Sequence, residues 1–443
     1  FDMWGGGFSA NAGFERRIER ADFQPDAFQR AGRGRSVAIL PLTGSFATKE
    51  AFFEFFAPFV DSEAGIPGLN RLDFTGKFRR VDNTVNGVFD TYTAGLQWRP
   101  IEDIEIRGNF TRSLRAPSLI ELFTPVSGIF TAMNDPCDSR LIASGVNPTV
   151  RAANCAAMFQ ALNTANPGIV NPGTFISTIV QATAPGTAQG DPGLLNESAD
   201  SWTYGVVFQP RWVEGLRAAV DYYEVEIEDV IVNLTANDIG TGCYDNPNFD
   251  RTNPAAGNPF CTFLTRAPNG QVTNVATRFF NGGTLKFRGL SGEIAYARDL
   301  ADFGFDYGGT LSFTGTAFRR FEFNQSNNGV VVNNNLGIVG TPRAEVQIGV
   351  AYDHDRWGVN VQGSYTTSVK AGNDISPELQ DIMKYDSYKS YDAGAYVSFL
   401  DDALRLRFAV TNFTDVAPPF PLQGIGAYDI LGRRYALTAI YKF

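Results

Sequence analysis

Apolar and polar residues alternate with a period of two along most of this chain. Near its end, Tyr435, Leu437, Ala439, Tyr441 and Phe443 fall on one side of an extended strand, and Arg434, Ala436, Thr438, Ile440 and Lys442 on the other. Side chains alternate across a strand, so one face is greasy and the other polar or small. The pattern recurs at residues 92–98, 104–110, 216–222, 303–313, 346–352 and 404–410. Period two repeated this often predicts strands, not helices. Fourteen strands are expected, near 8–20, 43–58, 68–82, 90–99, 103–115, 198–210, 214–228, 275–298, 303–322, 343–354, 357–369, 388–400, 403–414 and 430–443. In a soluble sandwich the apolar face would be core. In a transmembrane barrel it would face lipid, with aromatic girdles at the interfaces, and the aromatic ending of the chain fits that arrangement.

The connections favour the barrel. Short ones are expected at 99–102, 210–214, 353–356 and 401–402, and long ones at 116–197, 229–271, 324–340, 370–387 and 415–427. Every second connection is expected to be long. Outer-membrane barrels have short periplasmic turns and longer extracellular loops, whereas a compact soluble domain seldom carries a connection as long as 116–197. The last strand should end in the periplasm, so the first should run outwards. The fold class predicted is all-β, a transmembrane antiparallel β-barrel in the bacterial outer membrane.

Composition removes several alternatives. No run of eighteen apolar residues exists, so no transmembrane helix is available. A net charge of −10 argues against nucleic acid. The one histidine, His354, lies in Asp353-His354-Asp355-Arg356, which reads as a solvated turn. A single His argues against His-rich metal sites and most acid–base catalysis, and neither enzyme activity nor a cofactor is expected. Asp401-Asp402 reads as a solvent-facing turn, and Gly282-Gly283 as a bulge or relief of strand crowding. The opening Phe1-Asp2-Met3-Trp4 has no initiator Met, which implies a mature, processed or partial chain.

Four cysteines form two local pairs, Cys137 with Cys155 and Cys243 with Cys261, both in Asn/Pro/Gly-rich stretches. Without CxxC spacing or nearby His, zinc is disfavoured. Disulfides persist in oxidising compartments. Of the three possible connectivities the local one is expected, because each bridge would staple one loop; free buried thiols are the alternative. Binding groups concentrate in loops held by a rigid scaffold, so Phe130, Asp135, Tyr244, Asp245, Phe260 and Arg266 are ligand candidates. Packing of the loops themselves is the competing role. Arg405, Arg407, Arg434 and Lys442 are expected to face the lumen, to pair with acidic residues inside it or to line a path.

Specific segments then carry a resemblance. Residues 107–123 (RGNFTRSLRAPSLIELF), 196–205 (NESADSWTYG), 221–231 (DYYEVEIEDVI), Asn281-Gly282-Gly283 with 288–293 (RGLSGE), 412–415 (NFTD), Tyr428-Asp429 and 432–435 (GRRY) resemble, in order and spacing, the barrel of TonB-dependent outer-membrane receptors. The resemblance covers about residues 90–443. It implies active uptake of a bulky, scarce nutrient (a ferric siderophore, vitamin, glycan or peptide), driven through TonB. Such receptors hold an amino-terminal plug inside twenty-two strands. Residues 1–443 are therefore expected to be the carboxy-terminal portion of the barrel, with the plug and eight strands on the same protein or a separate chain. Outer-membrane lipid and a surface lipoprotein are the further partners considered. A passive porin-like ring of fourteen strands and a surface-assembly or adhesion barrel are the rival readings.

Overall fold

Alternation along each strand becomes alternation between two faces of one sheet. The computed structural model describes residues 2–33, 37–305, 308–373, 381–420 and 428–442. Among them, fourteen long strands pair in antiparallel series: β1 (Ser9–Phe23), β2 (Leu42–Val60), β3 (Arg71–Asn83), β4 (Gly87–Ile101), β5 (Ile104–Arg115), β6 (Glu197–Phe208), β7 (Leu216–Asn233), β8 (Val272–Asp299), β9 (Thr310–Ser326), β10 (Ala344–His354), β11 (Trp357–Thr366), β12 (Tyr388–Phe399), β13 (Leu404–Thr411) and β14 (Arg434–Tyr441). No register joins β1 to β14 among the described residues, and all eight residues of β14 are exposed.

Register puts every predicted apolar set on one face. Phe53, Phe78, Leu96, Val206, Val220, Ile294, Ile348, Val361, Phe408 and Leu437 share it, all solvent-exposed in the isolated chain. An exposed apolar band of this breadth has no place in water; it is the surface a barrel shows to lipid. Aromatic pairs border it. Tyr92–Phe110 (5.9 Å), Phe110–Trp202 (4.5 Å) and Tyr204–Tyr222 (4.9 Å) lie toward the loops, and Tyr352–Trp357 (5.3 Å) and Phe208–Trp212 (5.8 Å) toward the short turns. Beyond the loop-side aromatics the same face becomes ionic, with Arg80–Asp90 at 3.2 Å, Arg112–Asp200 at 3.7 Å and Lys286–Glu226 at 3.4 Å. The 28 residues of β8 therefore extend well past the apolar band. At about 3.3 Å per residue the strand is roughly 90 Å long, against an apolar band about 25 Å tall.

The short connections sit at one end and are tied to each other. Asp103 accepts from the Arg211 backbone N–H and guanidinium, both at 3.0 Å; Arg298 pairs with Glu214; Arg356 reaches Asp401 at 3.2 Å. Leu400, Asp401 and Asp402 make their turn with positive φ, and the Asp401 side chain is 94% exposed. His354 ends β10 with its ring stacked on Trp357 at 5.8 Å, so only Asp355-Arg356 form the turn.

Two expectations need correction. Residues 303–305, 308 and 309 are not strand: a 3₁₀ turn covers Leu300–Phe303, Gly304 takes φ +80°, and β9 begins at Thr310. The Phe303 and Phe305 alternation belongs to a turn whose left-handed glycine breaks the ladder; Asp306 and Tyr307 lie outside the described residues. Nor is every second connection long, since residues 84–86 alone link β3 to β4 on the loop side. Residues 421–427 of the last loop, 374–380 of the one before it, Phe1 and Phe443 lie outside the described residues.

Ile348→Arg, at the middle of the apolar face, should lower stability by about 2–4 kcal/mol. Its neighbour Gln347→Arg, on the polar face, should change it by about 0.5 kcal/mol or less. Urea titration of the full-length protein in lipid vesicles, followed by heat-modifiable migration, measures both.

Candidate functional site

The long loops fold into a cap on the loop-side end of the sheet. The connection between β5 and β6 contributes α1 (Leu119–Phe123), a strand at Ser127–Thr131, α2 (Pro148–Ala165) and a strand at Ala184–Gln189. The connection between β7 and β8 contributes α3 (Ala236–Tyr244) and a strand at Leu264–Arg266. Ala184–Gln189 pairs in parallel with β8 at Val275–Arg278, and Ser127–Thr131 pairs with it in turn. One apolar core draws on both loops, including Met133, Phe159, Ile179, Ile239, Tyr244 and Phe260.

Both expected disulfides are present, Cys137–Cys155 and Cys243–Cys261, with Cα separations of 5.4 and 4.8 Å. Closing loops of this size contributes about 3 kcal/mol each on a chain-entropy account.

Five of the six loop candidates are consumed inside this cap. Asp135 is fully buried and takes a bidentate pair from Arg266 at 2.7 and 2.8 Å, while Arg266 also donates to the Tyr244 hydroxyl at 2.9 Å. Asp245 is buried against Arg151, which donates from Nε and, at 2.6 Å, from Nη2. Phe260 packs edge-on to Phe280 at 5.2 Å. Asp135, Tyr244, Asp245, Phe260 and Arg266 thus join the two loops to each other and offer a ligand no free surface. Phe130, on the outer strand of the cap sheet, is 69% exposed.

Of the residues expected to face the lumen, Arg405, Arg407 and Arg434 lie on the polar face with Thr438 and Ile440. Arg405 donates to Ser398 at 3.0 Å and covers the Tyr396 ring, and Arg434 forms a bidentate pair with Asp429 at 2.8 and 3.1 Å. Lys442 is exposed and donates its backbone N–H to Ala403.

The cap rests on a clamp built from the motif residues. Arg115 makes a bidentate pair with Glu197 at 2.6 Å and another with Glu121 at 3.1 Å. Ser118 and Glu121 form a reciprocal capping box on α1, and Glu197 also accepts the Ile231 N–H at 2.7 Å. Asn281 bonds the Leu195 and Asp229 carbonyls, and the bulge falls at Gly282, where β7 passes from Val230↔Gly283 to Ile231↔Asn281. A Cβ on Gly283 would lie 2.9 Å from that of Val230, so the close approach requires glycine. Phe46, Leu122, Leu194 and Ile231 seal this junction.

Below the junction, β1 to β5 line a cavity of about 580 Å³ on the polar face. Arg17, Lys77, Arg79 and Arg115 contribute cations to it, Glu19, Glu50 and Glu54 carboxylates, and Phe46, Phe52 and Phe89 rings. Thr48, Asn83, Thr91, Thr93, Thr111 and Ser113 add amide and hydroxyl groups. The size lies within the range of small-molecule sites. Nothing in the single strands marks this cavity, because its residues are ordinary polar positions gathered from five strands.

The family model described as TonB dependent receptor-like, beta-barrel matches residues 8–413. This chain belongs to the TonB-dependent receptor family. It is an outer-membrane β-barrel protein, from a family of receptors and not of enzymes. Among curated proteins no sequence matches it. Solved receptors share the fold. The siderophore receptor PirA of Acinetobacter baumannii is 13% identical with a TM-score of 0.57, covering 100% of this chain and 53% of its own. A ferric enterobactin receptor (PfeA) variant from Pseudomonas aeruginosa is 13% identical with a TM-score of 0.59, covering 98% and 51%. The FrpB iron transporter of Neisseria meningitidis is 12% identical with a TM-score of 0.54, covering 98% and 54%. The receptor chain described here thus spans about half the length of these relatives.

Burial pushes the Asp135 carboxyl up, but the charge and hydrogen bonds of Arg266 outweigh it and hold it below its ordinary 3.8. The folded cap therefore binds this proton less readily than the unfolded one, so stability is full above about pH 4 and falls as pH drops through the depressed value. Hydrogen exchange of the full-length receptor should show cap protection steady from pH 7 to 4.5 and declining at lower pH. Arg266→Ala should cost the cap about 3–5 kcal/mol at neutral pH by stranding a buried carboxylate.

Proposed function

We propose that this chain is the carboxy-terminal wall of a receptor that takes up a bulky solute across the outer membrane, energised through TonB. The observation that carries the reading is the polar cavity on the lumenal side of the wall, directly under a stapled cap, in a member of this family. A receptor that captures scarce solute needs a binding site on the outer side of its barrier. A plug domain and eight further strands complete the protein in this proposal.

The edges support that completion. Backbone N–H and C=O groups left unpaired in hydrocarbon cost several kcal/mol each, which is why spanning sheets close. Among the described residues β1 is in register with β2 and β14 with β13. Strands from outside this chain, paired to both, would satisfy them.

Cysteines placed at Ala12 and Leu437, on the lipid-facing sides of β1 and β14, should not cross-link in the full-length receptor, because other strands lie between them. Efficient cross-linking would mean a closed fourteen-stranded ring and favour the passive porin. Full-length receptor in a planar bilayer should pass no steady current, and uptake in cells should stop when TonB is deleted.

A further inference from the structure

We infer that the cavity of β1 to β5 binds an uncharged, hydroxyl-rich solute of oligosaccharide size. This rests on the transport reading for its setting, and on the cavity alone for its chemistry.

Charge is the first argument. Each cation that reaches the cavity from the polar face is already held by a carboxylate: Arg17 by Glu15 at 3.0 Å, Lys77 by Glu54 at 3.5 Å, Arg79 by Glu50 at 2.7 Å, and Arg115 by Glu197 at 2.6 Å. Glu19 adds another negative charge. A polyanionic ligand would have to displace these carboxylates and then sit beside them. Interactions with a neutral ligand require no such displacement. The paired groups still have exposed edges that can donate or accept, since Arg17, Lys77 and Arg79 side chains are 57%, 58% and 40% accessible.

Unpartnered polar atoms are the second. Thr48 on β2 and Asn83 on β3 are direct cross-strand partners. They line the cavity at 7% and 2% exposure. Among the described residues, neither the Thr48 hydroxyl nor the Asn83 amide nitrogen has a hydrogen-bond partner, although the Asn83 side-chain carbonyl oxygen accepts the Val85 N–H at 2.9 Å. An unsatisfied buried polar atom costs about 1–3 kcal/mol, so two side by side point to a use that stability does not explain. A donor amide beside a hydroxyl suits a ligand carrying vicinal hydroxyls, which accept and donate at adjacent atoms. Glu50, two residues along β2 on the same face, supplies a carboxylate acceptor, while the Phe52 ring beyond it is covered by the Arg79 guanidinium at 5.1 Å.

The test uses calorimetry on the full-length receptor. The probes are neutral malto-, cello- and xylo-oligosaccharides of two to six units, with ferric enterobactin as a polyanionic comparison. At least one neutral oligosaccharide should bind. Thr48→Val and Asn83→Asp should each weaken that binding tenfold or more. Thr48→Val removes only an unpartnered hydroxyl, so a purely structural role predicts unchanged or higher stability and unchanged affinity. The inference is overturned if no oligosaccharide binds, if ferric enterobactin binds in their place, or if both variants bind as tightly as the parent. Its failure is separable from that of the transport reading. Oligosaccharide binding with uptake that persists without TonB would leave this inference standing and remove TonB-driven transport.

Discussion

Every backbone N–H and C=O that enters hydrocarbon must find a partner within the protein, and the rest of this structure follows from that requirement. It forces the spanning part into a continuous antiparallel ladder. The ladder in turn fixes which side chains face lipid, because residues opposite each other share a face. Phe53, Phe78, Tyr92 and Phe110 become neighbours only through register, although they come from four strands. Once the apolar face is committed to lipid, the chemistry of recognition is confined to the other face and to the connections at one end.

The wall and the cap solve different stability problems. The wall is held by ladders and by lipid, and needs no conventional core. The cap stands in water above the apolar band and does need one. It assembles it from two loops too poor in periodic structure to build one separately. Its buried ion pairs, Asp135 with Arg266 and Asp245 with Arg151, hold the halves in one arrangement. Pairs of this kind favour specificity of packing more dependably than net stability. The clamp around Arg115 then transmits the position of the cap to β5, β6 and β7 together.

The fourteen strands were legible because a lipid-facing strand must alternate strictly, and the aromatic and aliphatic residues that mark it are unambiguous. Where alternation ran into a turn at Phe303 and Phe305, it misled, since two aromatics at the membrane edge mimic strand period. Chemistry was less legible than fold. Tyr244, Asp245 and Arg266, aromatic or charged in a loop, read as ligand chemistry, but the same types are what a small stapled core uses to pair its buried groups. Thr48 and Asn83 carry no such mark in one dimension. Their significance lies in being opposite each other, unpartnered and beside a cavity, which only register reveals.

Each disulfide closes within a single loop. Cys137 and Cys155 belong to the connection after β5, Cys243 and Cys261 to the one after β7. Among the described residues, what crosses between the loops is non-covalent, including two ion pairs, the shared core, and side-chain bonds such as those of Asn154 to the Tyr244 and Asn246 carbonyls and of Gln271 to Thr178. Oxidation therefore needs no encounter between distant segments, and each staple can be sealed on its own stretch of chain before the barrel closes. The same bonding leaves the roof of the receptor in two separable leaves. Reduction would therefore act within each leaf and loss of the ion pairs between them, so the two kinds of bond fail independently.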